Sequence, residues 1–142
     1  MANRNMGNRI YSFERDRKIV NARVTIGAAG APTLDTANSK GVLSIARNSA
    51  GDYTITFGAS LNGVNAVDVY NKFLQMSVVV QNATGVPITA GYGIKAITLS
   101  AGTIEFVMQG PTAAGITAPI PTDPADGDVL WLEFEFGDST GG

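Results

Sequence analysis

The chain has 142 residues, enough for one domain, and only 15% of them are charged, against about 25% in ordinary soluble domains. It contains neither cysteine nor histidine, which excludes disulfides, thiolate catalysis, cysteine-based zinc sites and a serine–histidine triad. The scarcity of charge favours a surface that other subunits partly cover, and a surface rich in Thr, Ser, Asn and Gly is the alternative.

The charges are segregated along the chain. Residues 1–23 carry six of the ten basic side chains and two of the twelve acidic ones, so this segment has a net charge of +4 and the rest of the chain −6. We therefore expect 1–17 to be an extended basic N-terminal arm that contacts a partner. Its predicted partner-binding residues combine positive charge with two aromatic rings and are Arg4, Arg9, Tyr11, Phe13, Arg15 and Arg17.

Three interpretations of this arm remain open. Arginines form strong pairs with carboxylates, so an acidic and apolar surface of a neighbouring protein is the favoured partner. The same side chains suit the phosphates and bases of nucleic acid, but the acidic remainder of the chain would repel a polyanion. A plain frayed terminus is the third interpretation, and the rings of Tyr11 and Phe13 argue against it.

Nothing along the chain predicts export or insertion into a membrane. Residues 1–7 are polar and are not followed by the apolar segment of a signal peptide. The longest strongly apolar runs, such as Val78–Val80, are far too short to span a bilayer. We expect a soluble protein that is made in a cytoplasm.

Alternation of apolar and polar residues predicts the first strands. A strand over 18–26 has one apolar face, which is formed by Val20, Ala22, Val24 and Ile26. A β-hairpin follows, in which 42–47 pairs with 52–57 across a glycine-containing turn. Its apolar face is predicted to comprise Tyr53, Ile55 and Phe57 on one strand and Leu43 and Ile45 on the other.

The middle of the chain holds the only helix candidate. Spacings of three and four residues between Val67, Tyr70 and Leu74 predict one or two helical turns within 64–74. A strand is predicted over 73–81. A second hairpin is predicted to pair 94–99 with 103–109 around a turn that contains Gly102.

The remaining residues complete an all-β fold. A long surface loop is predicted over 110–124, which is rich in Pro, Gly, Thr and Ala. The last strand, 128–136, has an apolar face of Leu130, Leu132, Phe134 and Phe136 and an opposite face of Trp131, Glu133 and Glu135. Short strands with frequent turns predict one antiparallel β-sandwich or barrel-like domain over 18–137, followed by a flexible tail at 138–142.

Two acidic groups are candidate chemical sites. Asp123, Asp126 and Asp128 surround a glycine and would suit calcium, but their spacing is not that of an EF-hand, and a turn in which Asp binds backbone amides explains them. Glu133 and Glu135 share one face of a strand that is expected to face solvent, so a solvated face or a complement to the basic arm is favoured over catalysis. No metal, cofactor or enzymatic activity is predicted.

Two stretches resemble small structural proteins of tailed bacteriophages. The first is GVLSIARNSAGDYTITF, Gly41–Phe57, and the second is DPADGDVLWLEFEF, Asp123–Phe136, followed by Ser139 and Thr140. Together with the strand at 78–83 they are similar to the opening hairpin and the closing turn and strand of those proteins. The resemblance spans 41–140, and the long loop 110–124 departs from the well-known small members.

The resemblance implies a capsid decoration (cement) protein. Its expected partners are the major capsid protein and copies of itself, with a homotrimer as the expected oligomer, and its expected location is the exterior of the virion capsid. No membrane partner is predicted, and direct binding of nucleic acid is disfavoured because the acidic remainder of the chain would repel it. The alternative is a tail- or capsid-borne module that binds a receptor or carbohydrate, for which Trp131, Tyr92 and Tyr70 are the aromatic candidates.

Overall fold

The computed structural model describes residues 17–58, 72–88, 92–110 and 120–137, and nine strands account for most of them. The strands are β1 Arg17–Ile26, β2 Pro32–Leu34, β3 Val42–Ser49, β4 Asp52–Phe57, β5 Phe73–Gln81, β6 Pro87–Ile88, β7 Gly93–Ser100, β8 Thr103–Gln109 and β9 Val129–Gly137. Short 3-10 turns at Ala28–Gly30 and Thr36–Asn38 flank β2.

The strands form two antiparallel sheets. The five-stranded sheet has the order β2-β1-β9-β5-β6, and the four-stranded sheet has the order β3-β4-β8-β7. Hairpins connect β3 to β4 and β7 to β8, as the glycine-containing turns predict. The first and last strands, β1 and β9, are far apart in the chain but pair along nine residues in the centre of their sheet.

The core lies between the two sheets, so the fold is a β-sandwich. The alternation seen in the sequence is confirmed, because the predicted apolar faces of β1, β4 and β9 are buried in one cluster. The ring of Phe57, from the four-stranded sheet, meets the rings of Phe134 and Phe136 edge-on at centroid distances of 5.2 and 5.5 Å. These aromatic contacts join the two sheets directly.

One residue of the first hairpin faces the opposite way from its prediction. Leu43 is 66% exposed, whereas Val42 and Ile45 pack against the core. The pairing of β3 with β4 shifts register between Val42 and Ser44. A bulge at this point inserts one residue and breaks the period-two alternation, so Leu43 turns outward.

The predicted helix over 64–74 lies mostly outside the described residues. Of its described residues, Lys72 is helical, whereas Phe73 and Leu74 belong to β5. The helix prediction is therefore wrong at its last two residues, and the overlapping strand prediction over 73–81 is confirmed. Phe73 pairs with Phe136 of β9, and their rings lie 6.1 Å apart. Pairing with a core strand therefore decides the conformation of this segment.

Candidate binding surface on the five-stranded sheet

The predicted arm lies almost entirely outside the described residues. Of its six predicted contact residues, only Arg17 is in the described range, where it begins β1 and pairs with Gly137 at the end of β9. The beginning of β1 and the end of β9 therefore lie at the same end of the five-stranded sheet. This is the end of the sheet at which the sequence of the arm joins β1.

The outer faces of the two sheets differ in chemistry. Cross-strand neighbours on the four-stranded sheet form a face rich in hydroxyl groups: Ser44, Thr54, Thr56, Thr98 and Thr103. The centre of the five-stranded sheet instead combines exposed apolar groups with amide and carboxylate groups. Trp131, which is 38% exposed, lies between Arg23 and Val79 in one row of this face.

A groove opens beside Trp131 on this outer face. The next row of the sheet pairs Glu133 of β9 with Asn21 of β1 on one side and Ser77 of β5 on the other. The groove has a volume of about 330 Å³, and these residues line it together with others from neighbouring elements: Asn21, Asn38, Ser77, Val79, Trp131 and Glu133. We call it the Trp131 groove.

Two contacts hold the indole of Trp131 in one orientation. Its Nε1–H donates a hydrogen bond to Oε1 of Gln81 at 2.8 Å. The guanidinium carbon of Arg23 lies 5.4 Å from the ring centroid, a cation–π distance. Arg23 is itself paired with Asp35, since its Nη1 lies 2.7 Å from Oδ2 of that carboxylate. The ring is thus positioned before any ligand arrives.

Asp35, which directly follows β2, fixes the turn that contributes Asn38 to the groove. It caps the turn at Thr36–Asn38, where its Oδ1 accepts hydrogen bonds from the backbone amides of Ala37 and Asn38. Its Oδ2 accepts a further bond from the Asn38 side chain at 2.8 Å. The hydrogen bonds from Asn38 and Arg23 together lower the pKa of Asp35, so this carboxylate stays charged and keeps both neighbours in place.

The groove presents polar groups that have no partner among the described residues. Within the described part of the chain, no hydrogen bond or ion pair engages the side chains of Asn21, Ser77 or Glu133. All three are exposed. The prediction that Glu133 lies on the solvent-facing side of the last strand is confirmed, and Glu135 continues the same face in the next row.

The acidic turn near the last strand forms a structural cluster instead of a converging set of carboxylates. Asp128 accepts a hydrogen bond from the backbone amide of Ala125 at 2.9 Å, which confirms the turn interpretation. Asp123 points to other partners, and Asp126 is exposed. Among the residues that the structure describes, no three acidic side chains come together in a way that could hold a metal ion.

Asp123 is the centre of a buried polar contact that ties a loop to the first hairpin. Its Oδ1 accepts hydrogen bonds from the Tyr53 hydroxyl at 2.7 Å and from the Gly51 amide at 2.8 Å. Arg47 reaches the same carboxylate through Nε and Nη2, the latter at 2.8 Å from Oδ2. The side chain of Asp123 is only 18% exposed. We call these four residues the Asp123 cluster.

The cluster shifts two pKa values in opposite directions. Burial alone would raise the pKa of Asp123, but hydrogen bonds from Arg47, the Gly51 amide and Tyr53 outweigh it and hold the pKa below its usual range. Burial, and then the adjacent carboxylate, raise the pKa of Tyr53. Both groups therefore remain in the states that form the hydrogen bond, a neutral phenol and a carboxylate.

The sequence predicted only part of the Trp131 groove and only part of the Asp123 cluster. Trp131 and Glu133 were expected on one face because they alternate within a single strand, but nothing local indicated that Asn38 and Ser77 would join them. Tyr53 and Asp123 are 70 residues apart, and no pattern links them. Of the other aromatic candidates, Tyr92 is half-buried against the core and Tyr70 lies outside the described residues.

Comparisons with family models, with curated proteins and with solved structures find no match to this chain. Among the described residues, no helix has the length and apolarity that crossing a bilayer requires.

Proposed function

We propose that this protein is a structural component of a tailed-bacteriophage virion, a capsid decoration protein that associates with itself and bridges major capsid subunits. The resemblance of 41–140 to small phage structural proteins suggests the role. The segregated charge suggests how it binds: a basic arm, attached to an acidic body, contacts neighbouring subunits.

The observation that carries this proposal is the strand into which the arm leads. β1 pairs with β9 along nine residues, and its last three residues, 24–26, also pair with β2. Its inward side chains, Val20, Ala22, Val24 and Ile26, are fully buried. A force applied to the arm would therefore act on the hydrogen bonds between β1 and β9 and on the core together. This arrangement suits a protein that holds a pressurised shell closed.

Exposed apolar side chains support association with other proteins. Ile19, Leu74 and Val79 are each about half exposed. Stable protein interfaces bury about 800 Å² on each partner, and exposed apolar groups contribute most where they are fully desolvated. A protein with few charges and several such groups is suited to a neighbour-covered position in an assembly.

The test is removal of the arm without damage to β1. Because Arg17 begins β1, the truncation removes residues 1–16 only. We expect a folded body with an unchanged circular dichroism spectrum, a smaller oligomer in sedimentation velocity, and no co-sedimentation with capsids that lack the native protein.

A matched control removes residues 138–142, since they follow the end of β9, which pairs with the beginning of β1. This variant should still bind capsids. Undiminished capsid binding by the protein without residues 1–16 would refute the role of the arm.

A further inference from the structure

We infer that the Trp131 groove binds a neutral saccharide. The described lining of this groove includes no residue of 1–17, and the inference does not depend on the assembly role. The inference rests on a fixed, partly exposed indole next to polar side chains that have no hydrogen-bond or ion-pair partner among the described residues, all on one concave surface.

The indole supplies an apolar platform. Pyranose rings present one face of C–H groups, which pack against an aromatic ring and are drawn to its negative face. A platform is effective when its orientation is set in advance, because little conformational entropy is then lost on binding. Gln81 and Arg23 provide this restraint, and Arg23 is restrained in turn by Asp35.

The rim supplies hydrogen-bonding groups of both kinds. Asn21 carries a donor and an acceptor, Ser77 a hydroxyl, and Glu133 an acceptor pair. These side chains come from three adjacent strands and form one row across the groove. Vicinal hydroxyls of a sugar donate and accept at the same time, so they can satisfy such a mixed row, whereas an aliphatic ligand would leave it unpaired.

Charge narrows the class of ligand. Glu133 lines the groove, and none of the described lining residues is basic. Arg23, which stacks on Trp131, is already neutralised by Asp35. Phosphates, nucleic acids and acidic sugars would therefore meet an unbalanced negative charge. A neutral ligand meets no such penalty.

Size points the same way. A volume of about 330 Å³ is at the lower end of the pockets that hold small molecules, which span about 300–1,000 Å³. It suits one or two sugar rings. A folded protein partner would instead need a much broader complementary surface.

The chain contains a single tryptophan, so its fluorescence reports on this groove directly. We would screen the protein on an array of neutral glycans and titrate tryptophan emission with maltotriose, cellotriose and tri-N-acetylchitotriose. We expect a saturable blue shift and protection from acrylamide quenching with at least one neutral glycan. An acidic glycan, sialyllactose, should give a weaker response.

Variants locate the site, with binding measured by calorimetry. Trp131→Ala and Glu133→Ala should each weaken binding at least tenfold, whereas Glu133→Gln, which keeps hydrogen-bonding capacity, should lose less. Trp131→Phe keeps an aromatic platform and guards against a folding defect in the alanine variant. Leu43→Ala, which removes an exposed apolar side chain from the other sheet, should bind normally.

Four results would overturn the inference. The first is silence of the wild-type protein on the array and with all three trisaccharides. The second is saccharide binding that survives in Trp131→Ala, and the third is equal loss in Leu43→Ala. A tryptophan response to single-stranded DNA in place of sugars would also contradict it. The protein lacking residues 1–16 should bind sugar normally, so failure of this inference and failure of the assembly role are distinguishable.

Discussion

Replacing Asp123 by alanine removes the acceptor of two donors on buried residues, and we expect it to destabilise the fold by about 2–4 kcal/mol. The Gly51 amide and the Tyr53 hydroxyl both bond to Oδ1 of Asp123, and both residues are buried. A buried donor that loses its partner costs about 1–3 kcal/mol. The Tyr53 hydroxyl also lies 3.3 Å from the carbonyl oxygen of Gly30, so it keeps a weak alternative acceptor. The cost of its lost hydrogen bond is therefore at the lower end of that range.

The matched variant Asp123→Asn tests which oxygen matters. An asparagine can place its carbonyl oxygen at the Oδ1 position and so keep the bonds from Gly51 and Tyr53. What it loses is the charge pair with Arg47, whose guanidinium remains partly exposed to solvent. Exposed ion pairs contribute little to stability. We therefore expect Asp123→Asn to cost less than half as much as Asp123→Ala.

Urea denaturation at neutral pH measures both changes as free energies of unfolding. Trp131 lies on the outer face of the five-stranded sheet, outside the Asp123 cluster, so its fluorescence reports global unfolding. Tyr53→Phe supplies a double-mutant cycle with Asp123→Ala, in which the two changes should be less than additive because they remove the same hydrogen bond. If the asparagine variant were as unstable as the alanine variant, the assignment of the cost to the buried donors would be wrong.

Three further predictions concern acid sensitivity, backbone conformation and the hairpin bulge. The pKa of Asp123 is held below its usual range, so the stability that its charged form contributes is fully present above the unfolded pKa of about 3.9 and is lost as the pH falls through the lower folded pKa. Between these two pKa values, the free energy of unfolding should fall more steeply with decreasing pH in the wild type than in Asp123→Asn. Gly30→Ala should destabilise the fold more than Gly85→Ala. Both glycines have positive φ, but a Cβ on Gly30 would lie 2.4 Å from Cγ of Asp123, whereas Gly85 has open space around it. Equal melting temperatures of the two variants would contradict this. Ile55→Ala should cost about 2–5 kcal/mol and Leu43→Ala less than about 0.5 kcal/mol in urea denaturation, and a large loss in the second would show that Leu43 is buried after all.

The amino-acid sequence by itself determined the seven longer strands and most of their faces. The buried side of β9 is the set of alternating residues from Leu130 to Phe136, and the hairpin turns fall at Gly51 and Gly102, both with positive φ. These features were predictable because side-chain alternation and turn chemistry are local properties of the chain. The same locality explains why Trp131 and Glu133 were correctly placed together on one face.

Only the tertiary structure decided which strands became neighbours and what they brought together. Nothing local brings β1 beside β9, turns Leu43 outward or sets Asp123 against Tyr53. The Trp131 groove likewise needs side chains from three strands and a turn, and their row exists only after the register of β1, β9 and β5 is set. Sheet order and register depend on burying all the apolar faces at once and on pairing every interior strand, and that is a property of the whole chain.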